Sequence, residues 1–432
     1  MPGGITIPIP TTRDASPPEH SDTATQIIEH VGISPQHKTR AALKIATLNM
    51  RGRFSRGIDK WMHINQIMRA QKIGVLCLQE THLSPEDTES IHNLFGKRLQ
   101  VYCSINPAQP NAAGIAIVIN KDLAKSDTAQ ATELVPGRAL LVVLPWHPNH
   151  TINILGIYAP NIPAENTYFW EKLLLDLRDM PTPDIMLGDF NMVEDALDRL
   201  PPKRDARNSV EALSQIKLSA GLVDGWRNTY PTQLQYTYAQ SVRQGAAHSR
   251  IDRIYVKGLA MRFTGEWETC TPGIPTDHQM VTMRLSDQSL PFIGKGKWNF
   301  PLHLLSSKTC LNQLTELCAK ALSDITDIIQ WLPTYNAQTI FEKLKSDIKN
   351  YAIIEGRRAT LAIDKQIASL SNQKYSILNN PDINLESRQL QASIIQENIK
   401  VLADLKHRKA RDELHAKFEI ESEIASSGFW AR

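Results

Sequence analysis

The chain has 432 residues, 42% hydrophobic and 22% charged, a globular composition too long for one ordinary core, so two folded units are expected. Its 48 Lys and Arg against 45 Asp and Glu leave a net charge of +3, so overall charge assigns no partner and a nucleic-acid surface has to come from local clustering. Five scattered cysteines without a CxxC pair exclude a recognisable zinc site or disulfide framework and fit a reducing compartment. The longest apolar run near the middle, Ala139 to Leu144, falls far short of the ~20 residues a membrane span needs. No basic-then-apolar signal pattern opens the chain, so a soluble intracellular protein is expected, with the nucleus open as its location and no membrane partner.

Residues 1–42 carry Pro2, Pro8, Pro10, Pro17, Pro18 and Pro35 among Thr, Ser, Asp and His, which reads as a disordered leader. Residues 43–286 then alternate short aliphatic runs with helical spacing, a mixed α/β domain. Ile45 to Leu48, Val75 to Leu78, Gly114 to Ile119, Leu140 to Leu144 and Ile152 to Tyr158 read as strands. Ile185 to Leu187, Tyr236 to Tyr238, Ile254 to Val256 and Met280 to Leu285 do so as well. Lys60 to Ala70, Asn166 to Asp179 and Val210 to Ala220 read as helices. Gly294, Gly296 and Pro301 mark a linker over 287–308. Residues 309–432 are expected to be mainly α-helical. Leu311, Leu314, Leu317, Ala321 and Ile325 share one face, and Ile353, Ala359, Ile363 and Ile367 another. A turn at Asn379 to Asp382 precedes a helix bearing Ile394, Ile395, Ile399, Leu402 and Leu405. The last two stretches predict a long antiparallel helical hairpin, a candidate surface for self-association or partner binding.

Polar residues stand where these strands end. Asn49 follows the first run, and Glu80 lies in Leu78-Gln79-Glu80-Thr81-His82. Asp189 and Asn191 lie in Gly188-Asp189-Phe190-Asn191, Asp252 follows Ser249-Arg250-Ile251, and Thr276-Asp277-His278 precedes the last strand. Open sheets build their sites at strand ends. Phosphodiester hydrolysis needs a cation, a base that orients water in line with the leaving oxygen, and donors for the non-bridging oxygens. Glu80 is the best ligand for a hard cation such as Mg²⁺, with Mn²⁺ as the alternative, and Asn49 adds a side-chain carbonyl. Along an extended backbone Asp189 and Asn191 point to one side and Phe190 into the core, so the pair can orient a water and bind the phosphate; alternatively, after Gly188, they form a plain Asp/Asn turn. His278 can donate to a phosphate oxygen or exchange a proton with the water, and Asp252 is the candidate that fixes its tautomer, leaving Asp277 free to reach the metal. Tyr158 and Asn161, in Tyr158-Ala159-Pro160-Asn161, can donate to the phosphate or make a plain turn. Arg250 reads either as a loop-ordering partner of a carboxylate or as a substrate contact, and Trp226 as core. Lys203, Arg204 and Arg207, like Arg51, Arg53 and Arg56, could meet DNA phosphates or form solvated loops.

The ordered set LQETH, YAPN, GDFN, SRID and TDH resembles the exonuclease-endonuclease-phosphatase (DNase I-like) superfamily over Leu43 to about Leu285. The resemblance implies two packed mixed β-sheets flanked by helices, a four-layer sandwich with the site at one end. It implies Asn49 and Glu80 as the metal-side pair, Tyr158 and Asn161 as phosphate contacts, Asp189 as the water-positioning residue and Asn191 as its phosphate-binding neighbour. Asp252 and His278 match the carboxylate-histidine pair, with Asp277 as a further acidic site residue. Repair apurinic endonucleases usually carry an aspartate two residues after the Asn49 position, where this chain has Arg51. The motif set is most similar to the endonuclease domain of non-LTR (LINE-type) retrotransposon proteins. The expectation is a Mg²⁺-dependent enzyme that nicks one strand of duplex DNA. The alternatives are an apurinic/apyrimidinic-type repair endonuclease, a small-substrate phosphatase, or a catalytically silent DNA- or protein-binding remnant.

Overall fold

The computed structural model describes residues 42–52, 57–106, 113–147, 150–287, 300, 304–305, 307–328, 332–358 and 362–423. The expected leader, except residue 42, and most of the expected linker lie outside them.

Strands β1 (Ala42–Asn49), β2 (Ile73–Gln79), β3 (Leu99–Ser104) and β4 (Ile115–Asn120) alternate with helices α1 (Gly57–Ala70) and α2 (Pro85–Phe95). Then come β5 (Gln130–Val135), β6 (Ala139–His147), β7 (His150–Tyr158), α3 (Pro163–Asp176), β8 (Ile185–Asp189), β9 (Arg199–Leu200) and α4 (Arg207–Ala220). The domain finishes with β10 (Leu222–Asp224), α5 (Gly225–Thr229), β11 (Tyr238–Ala239), β12 (His248–Ser249), β13 (Asp252–Lys257), β14 (Thr264–Cys270) and β15 (Met280–Ser286). One six-stranded sheet runs β14-β15-β1-β2-β4-β3 and the other β10-β13-β8-β7-β6-β5, with a small sheet β11-β12-β9 beside them. The pairs β1·β2 and β7·β8 are parallel, and α1 and α3 supply the crossovers such pairs require.

Strand alternation builds the layers. Leu43 and Ile45 of β1 join Ile115, Ile117 and Ile119 of β4 and Ile185 and Leu187 of β8 in the core between the sheets. Their neighbours Ala46, Leu48, Ala116 and Val118 face Trp61, Ile64, Met68 and Ile91 of α1 and α2. On the opposite side Leu155, Ile157 and Met186 pack on Phe169, Trp170, Leu173, Leu213 and Ile216 of α3 and α4. The result is helix, sheet, sheet, helix, with each interior strand buried on both faces. Helix α2 starts on a capping box, Ser84 with Asp87, followed by Pro85, and α4 stops at Gly221 in the left-handed region. Gly188 is dictated by close approach: its φ is +149° and a Cβ there would lie 1.8 Å from the Ile157 carbonyl oxygen.

Beyond the sandwich lie α6 (Lys308–Thr326), α7 (Ala337–Arg358), α8 (Ala362–Asn379) and α9 (Leu385–Glu423). The run read through Ile353, Ala359 and Ile363 is divided, because α7 ends at Arg358, α8 begins at Ala362, and residues 359–361 lie outside the described set. Helices α8 and α9 form the antiparallel hairpin. Lys406 Nζ meets Asp364 at 2.5 Å at one level and Lys374 Nζ meets Gln396 at 2.6 Å at another. On α9 the inward residues are Ala392, Ile395, Ile399 and Ala403, whereas Ile394 is 46% exposed, so the expected apolar face is rotated by about one residue. Among the described residues no helix is long and apolar enough to cross a membrane.

Candidate active site

Asn49 closes β1, Glu80 follows β2, Tyr158 closes β7, Asp189 closes β8, Asp252 opens β13 and His278 stands just before β15. The register Tyr158↔Asp189↔Asp252 aligns three of them across one sheet. The other sheet supplies Asn49, Glu80 and His278, so the cluster straddles both sheets at one end of the sandwich.

Asn49 joins the two halves. Its Nδ2 donates to Asp189 Oδ2 at 2.9 Å and to Glu80 Oε1 at 3.0 Å. Its Oδ1, the atom a cation would use, already accepts the Arg51 backbone N–H at 2.8 Å. The Tyr158 hydroxyl donates to the same Glu80 Oε1 at 3.1 Å. Thr276 donates from Oγ1 to the Asn49 carbonyl at 2.9 Å and accepts the His278 N–H at 3.2 Å, tying the last loop to β1.

His278 Nδ1 lies 2.9 Å from Asp252 Oδ2. Burial disfavours the imidazolium, but the adjacent Asp252 carboxylate outweighs it and raises the His278 pKa to about 10. The ring is therefore charged at neutral pH, with Nδ1–H donating to Asp252. Asp189 is 1% exposed; burial first, and the negative charge of Asp252 second, push its pKa up to about 7. Asp189, Asp252 and His278 each offer an atom within 4.8 Å of the others. Asp252 Oδ1 is buried and has no hydrogen-bond partner among the described residues.

Other candidates stand differently. Asn191 is not extended: at φ +49° its N–H donates to Asp189 Oδ1 at 2.9 Å, an Asx turn, and its amide donates to the Ala159 carbonyl at 2.8 Å. The side chain of Asp189 itself curls the chain, so the two residues do not share one face of a strand. Phe190 does turn into the core, stacked 5.6 Å from Trp170. Asn161 is exposed in the turn before α3 and hydrogen-bonds to no other candidate among the described residues. Asp277 pairs with Arg51 at 3.2 Å, so Arg51 supplies the positive charge beside that carboxylate. Arg250 is 4% exposed and bridges Asp198 and Asp224, both at 2.6 Å, with its guanidinium 5.1 Å over the Trp226 ring. It orders the loop before Asp252.

Two supporting residues carried no signal in the sequence. Lys60 of α1 donates to the Met50 carbonyl at 2.5 Å and the Gly52 carbonyl at 2.6 Å, holding the loop after Asn49. Thr237, read only as the middle of the short Tyr236 to Tyr238 strand, accepts the Ile251 and Asp252 N–H groups on Oγ1 at 3.2 and 3.0 Å. Of the basic clusters, Lys203 and Arg204 are exposed, Arg207 pairs with Glu211, and Arg53 and Arg56 lie outside the described residues.

The transposon TX1 uncharacterized 149 kDa protein of Xenopus laevis is 27% identical over 381 residues, an alignment that covers 84% of this chain and 28% of that protein. The chain thus spans under a third of the length of that relative. Among solved structures, the AP endonuclease LMAP from Leishmania major aligns with TM-score 0.48 at 19% identity, covering 59% of this chain and 89% of the other. The endonuclease domain of TRAS1, a telomere-specific non-LTR retrotransposon, aligns with TM-score 0.42 at 13% identity, covering 57% and 99%. Residues 46–278, more than half of the chain and every strand-end carboxylate of the cluster, match the Endonuclease/Exonuclease/phosphatase family, and the chain belongs to that family.

Proposed function

We propose that this chain is a divalent-metal-dependent phosphodiester hydrolase that nicks one strand of duplex DNA, the endonuclease part of a transposon-type protein. The observation that carries the reading is the charged Asp252–His278 pair set beside buried Asp189, which Asn49 links to Glu80. A hard cation fits this donor set. Glu80, Asp189 and Asp252, the last with an unpartnered Oδ1, give an oxygen-rich, net negative cluster with no thiol in it. Glu80 would hold the ion, with Asn49 or its water-mediated contact and Asp277 on the same side. The bound cation would offset charge building on the phosphoryl and leaving oxygens.

The chain's own groups supply the rest. Asp189 accepts a proton as water attacks phosphorus, and the phosphorus–oxygen bond opposite breaks. Its pKa near neutrality matches that role. His278, cationic and oriented by Asp252, donates from Nε2 to a non-bridging oxygen. Tyr158, Asn161 and Asn191 are the further phosphate contacts, and exposed Lys203 and Arg204 offer backbone phosphates a cationic strip.

The test is nicking of supercoiled plasmid by the purified chain, with Mg²⁺, Mn²⁺ or EDTA, comparing wild type with Asp189→Ala and His278→Ala. Expected is metal-dependent conversion to open circles, reduced at least about 10²-fold in both variants. A folded wild type that leaves intact plasmid uncut refutes the reading. Cleavage confined to abasic DNA or to a small phosphate ester moves it to repair or phosphatase chemistry.

A further inference from the structure

Helices α8 and α9 do not hang free of the sandwich. The Asn379 side chain at the end of α8 pairs with both backbone groups of Leu234, accepting its N–H at 2.9 Å and donating to its carbonyl at 3.1 Å. Leu378 and Ala392 pack with Leu200 and Tyr236 in a small separate core. From α9, Ser393 lies 3.1 Å from His248 Nε2 and donates to the Ala246 carbonyl at 3.2 Å, while Gln389 donates to the Gly245 carbonyl at 2.7 Å. The helical hairpin therefore grips both arms of the β-hairpin spanning 234–249.

That β-hairpin is the support of the Asp252–His278 pair. Its Thr237 caps the Asp252 N–H through Oγ1 and accepts the Gln279 N–H on its carbonyl at 2.7 Å. Tyr238 forms an isolated bridge with His278, and its ring lies 5.1 Å from the imidazole. One strand thus fixes the backbone on both sides of the 2.9 Å contact. Between Asn379 and His278 run only Leu234 to Tyr238, an extended stretch that transmits a shift along its length. Within the domain it is held by the Tyr238↔Ser249 pairing, the Thr237 N–H on the Ser249 carbonyl and the Tyr236 ring stacked 5.7 Å from His248, and it belongs to neither large sheet.

We propose that the α8–α9 hairpin is a positioning brace for the active site, with Asn379 and Ser393 as positioning residues that set the Asp252–His278 pair through Leu234–Tyr238. This rests on the endonuclease reading above. The brace makes turnover depend on helices that touch no substrate, and it assigns the helical region a role in rate rather than in DNA affinity.

The test uses the full chain carrying Asn379→Ala with Ser393→Ala, beside Ser393→Thr, which keeps the hydroxyl, and Glu397→Ala, which removes only the bond to the Val242 N–H at the hairpin tip. The readouts are plasmid nicking kinetics and amide hydrogen exchange. Displacement on the order of 1 Å at a catalytic pair costs up to about 10²-fold. Expected for the double variant is a kcat lower by at least about tenfold with KM unchanged, and faster exchange confined to 234–252. Ser393→Thr and Glu397→Ala should stay near wild type. If wild type nicks and the double variant keeps its kcat, the brace is wrong and the endonuclease stands. A kcat loss without faster exchange in 234–252, or a rise in KM alone, also overturns the brace. A wild type that does not nick overturns both.

Discussion

Two glycines with positive φ separate steric exclusion from backbone preference. At Gly188, φ is +149° and an added Cβ meets the Ile157 carbonyl oxygen at 1.8 Å; at Gly221, φ is +64° and the space around a Cβ is empty to 4 Å. An Ala at either position carries the cost of an unfavourable φ, about 1–3 kcal/mol. Only at 188 must β7 and β8 also part. Ordinary contact begins at 3.4 Å, so the oxygen has to retreat by roughly 1.6 Å. That strains or breaks the Ile157↔Gly188 and Tyr158↔Asp189 pairings. Two weakened ladder bonds at about 1 kcal/mol each, plus about 1–3 kcal/mol of overpacking, bring Gly188→Ala to about 5 kcal/mol. Gly221→Ala stops near ~1 kcal/mol. With about 2–4 °C of melting temperature per kcal/mol for a domain of this size, the expected drops are about 10–20 °C and about 2–4 °C. Differential scanning fluorimetry on the two variants decides it. Equal drops would refute the argument that carbonyl approach, rather than φ, fixes glycine at 188.

Three further outcomes are expected. His248 is fully buried and, by burial first and the charge of Lys374 second, is held at a pKa of about 3, so the folded chain binds no proton there while the unfolded chain does below about 6.5. Its contribution is therefore full above pH ~6.5 and is lost on acidification at up to about 1.4 kcal/mol per pH unit, so melting curves of His248→Gln should lose acid sensitivity relative to wild type between pH 6.5 and 4. A parallel decline of both proteins would contradict this. Asp198→Asn removes the carboxylate shared by Arg250 and Arg227, leaving buried guanidinium charge short of a partner, with a cost of about 3–5 kcal/mol in urea unfolding. Arg51→Ala removes a half-exposed ion pair with Asp277, worth at most about 1 kcal/mol, so the melting temperature should barely move. The same change deletes a positive charge beside the candidate cation site, and calorimetric titration should show tighter Mg²⁺ or Mn²⁺ binding.

Legibility in the sequence followed burial. Strands β1, β2, β4, β6, β7, β8, β13 and β15 lie inside the two sheets, and their two-sided burial writes a continuous aliphatic run such as Ile115 to Ile119. The edges escaped. Strand β5 reads Gln130-Ala131-Thr132-Glu133 with four exposed residues in a row, and β14 is bulged between Gly265 and Glu268 with Glu266 at φ +49°. Edge strands have one paired side only, and β5 and β14 meet solvent along much of their length, so a continuous aliphatic run is not required of them. The same logic holds at the site. Asp189, Asp252 and His278 were legible because strand ends and short motifs announce them. Thr237 was not, because its role depends on a backbone pairing with Gln279 that local sequence does not encode. At Asn191 the structure takes the turn and not the extended reading. Alternation presumes an extended chain, and the Asp189 side chain captures the Asn191 N–H and ends the strand early.

The first six-stranded sheet is assembled from both ends of the domain, whereas the second comes from its middle. A ribosome releasing this chain therefore delivers Asn49 early and must add 227 residues before Thr276 arrives to lock onto it. At about 5–20 residues per second that interval is roughly 10–45 s. Through it β1 lacks the antiparallel neighbour β15 that closes its free edge. Asp189 and Asp252 emerge before their imidazole, so a chain stalled or cut between Asp252 and His278 carries both carboxylates without the ring that pairs with Asp252. Synthesis itself thus withholds the finished site until the final strand of the sandwich is in place.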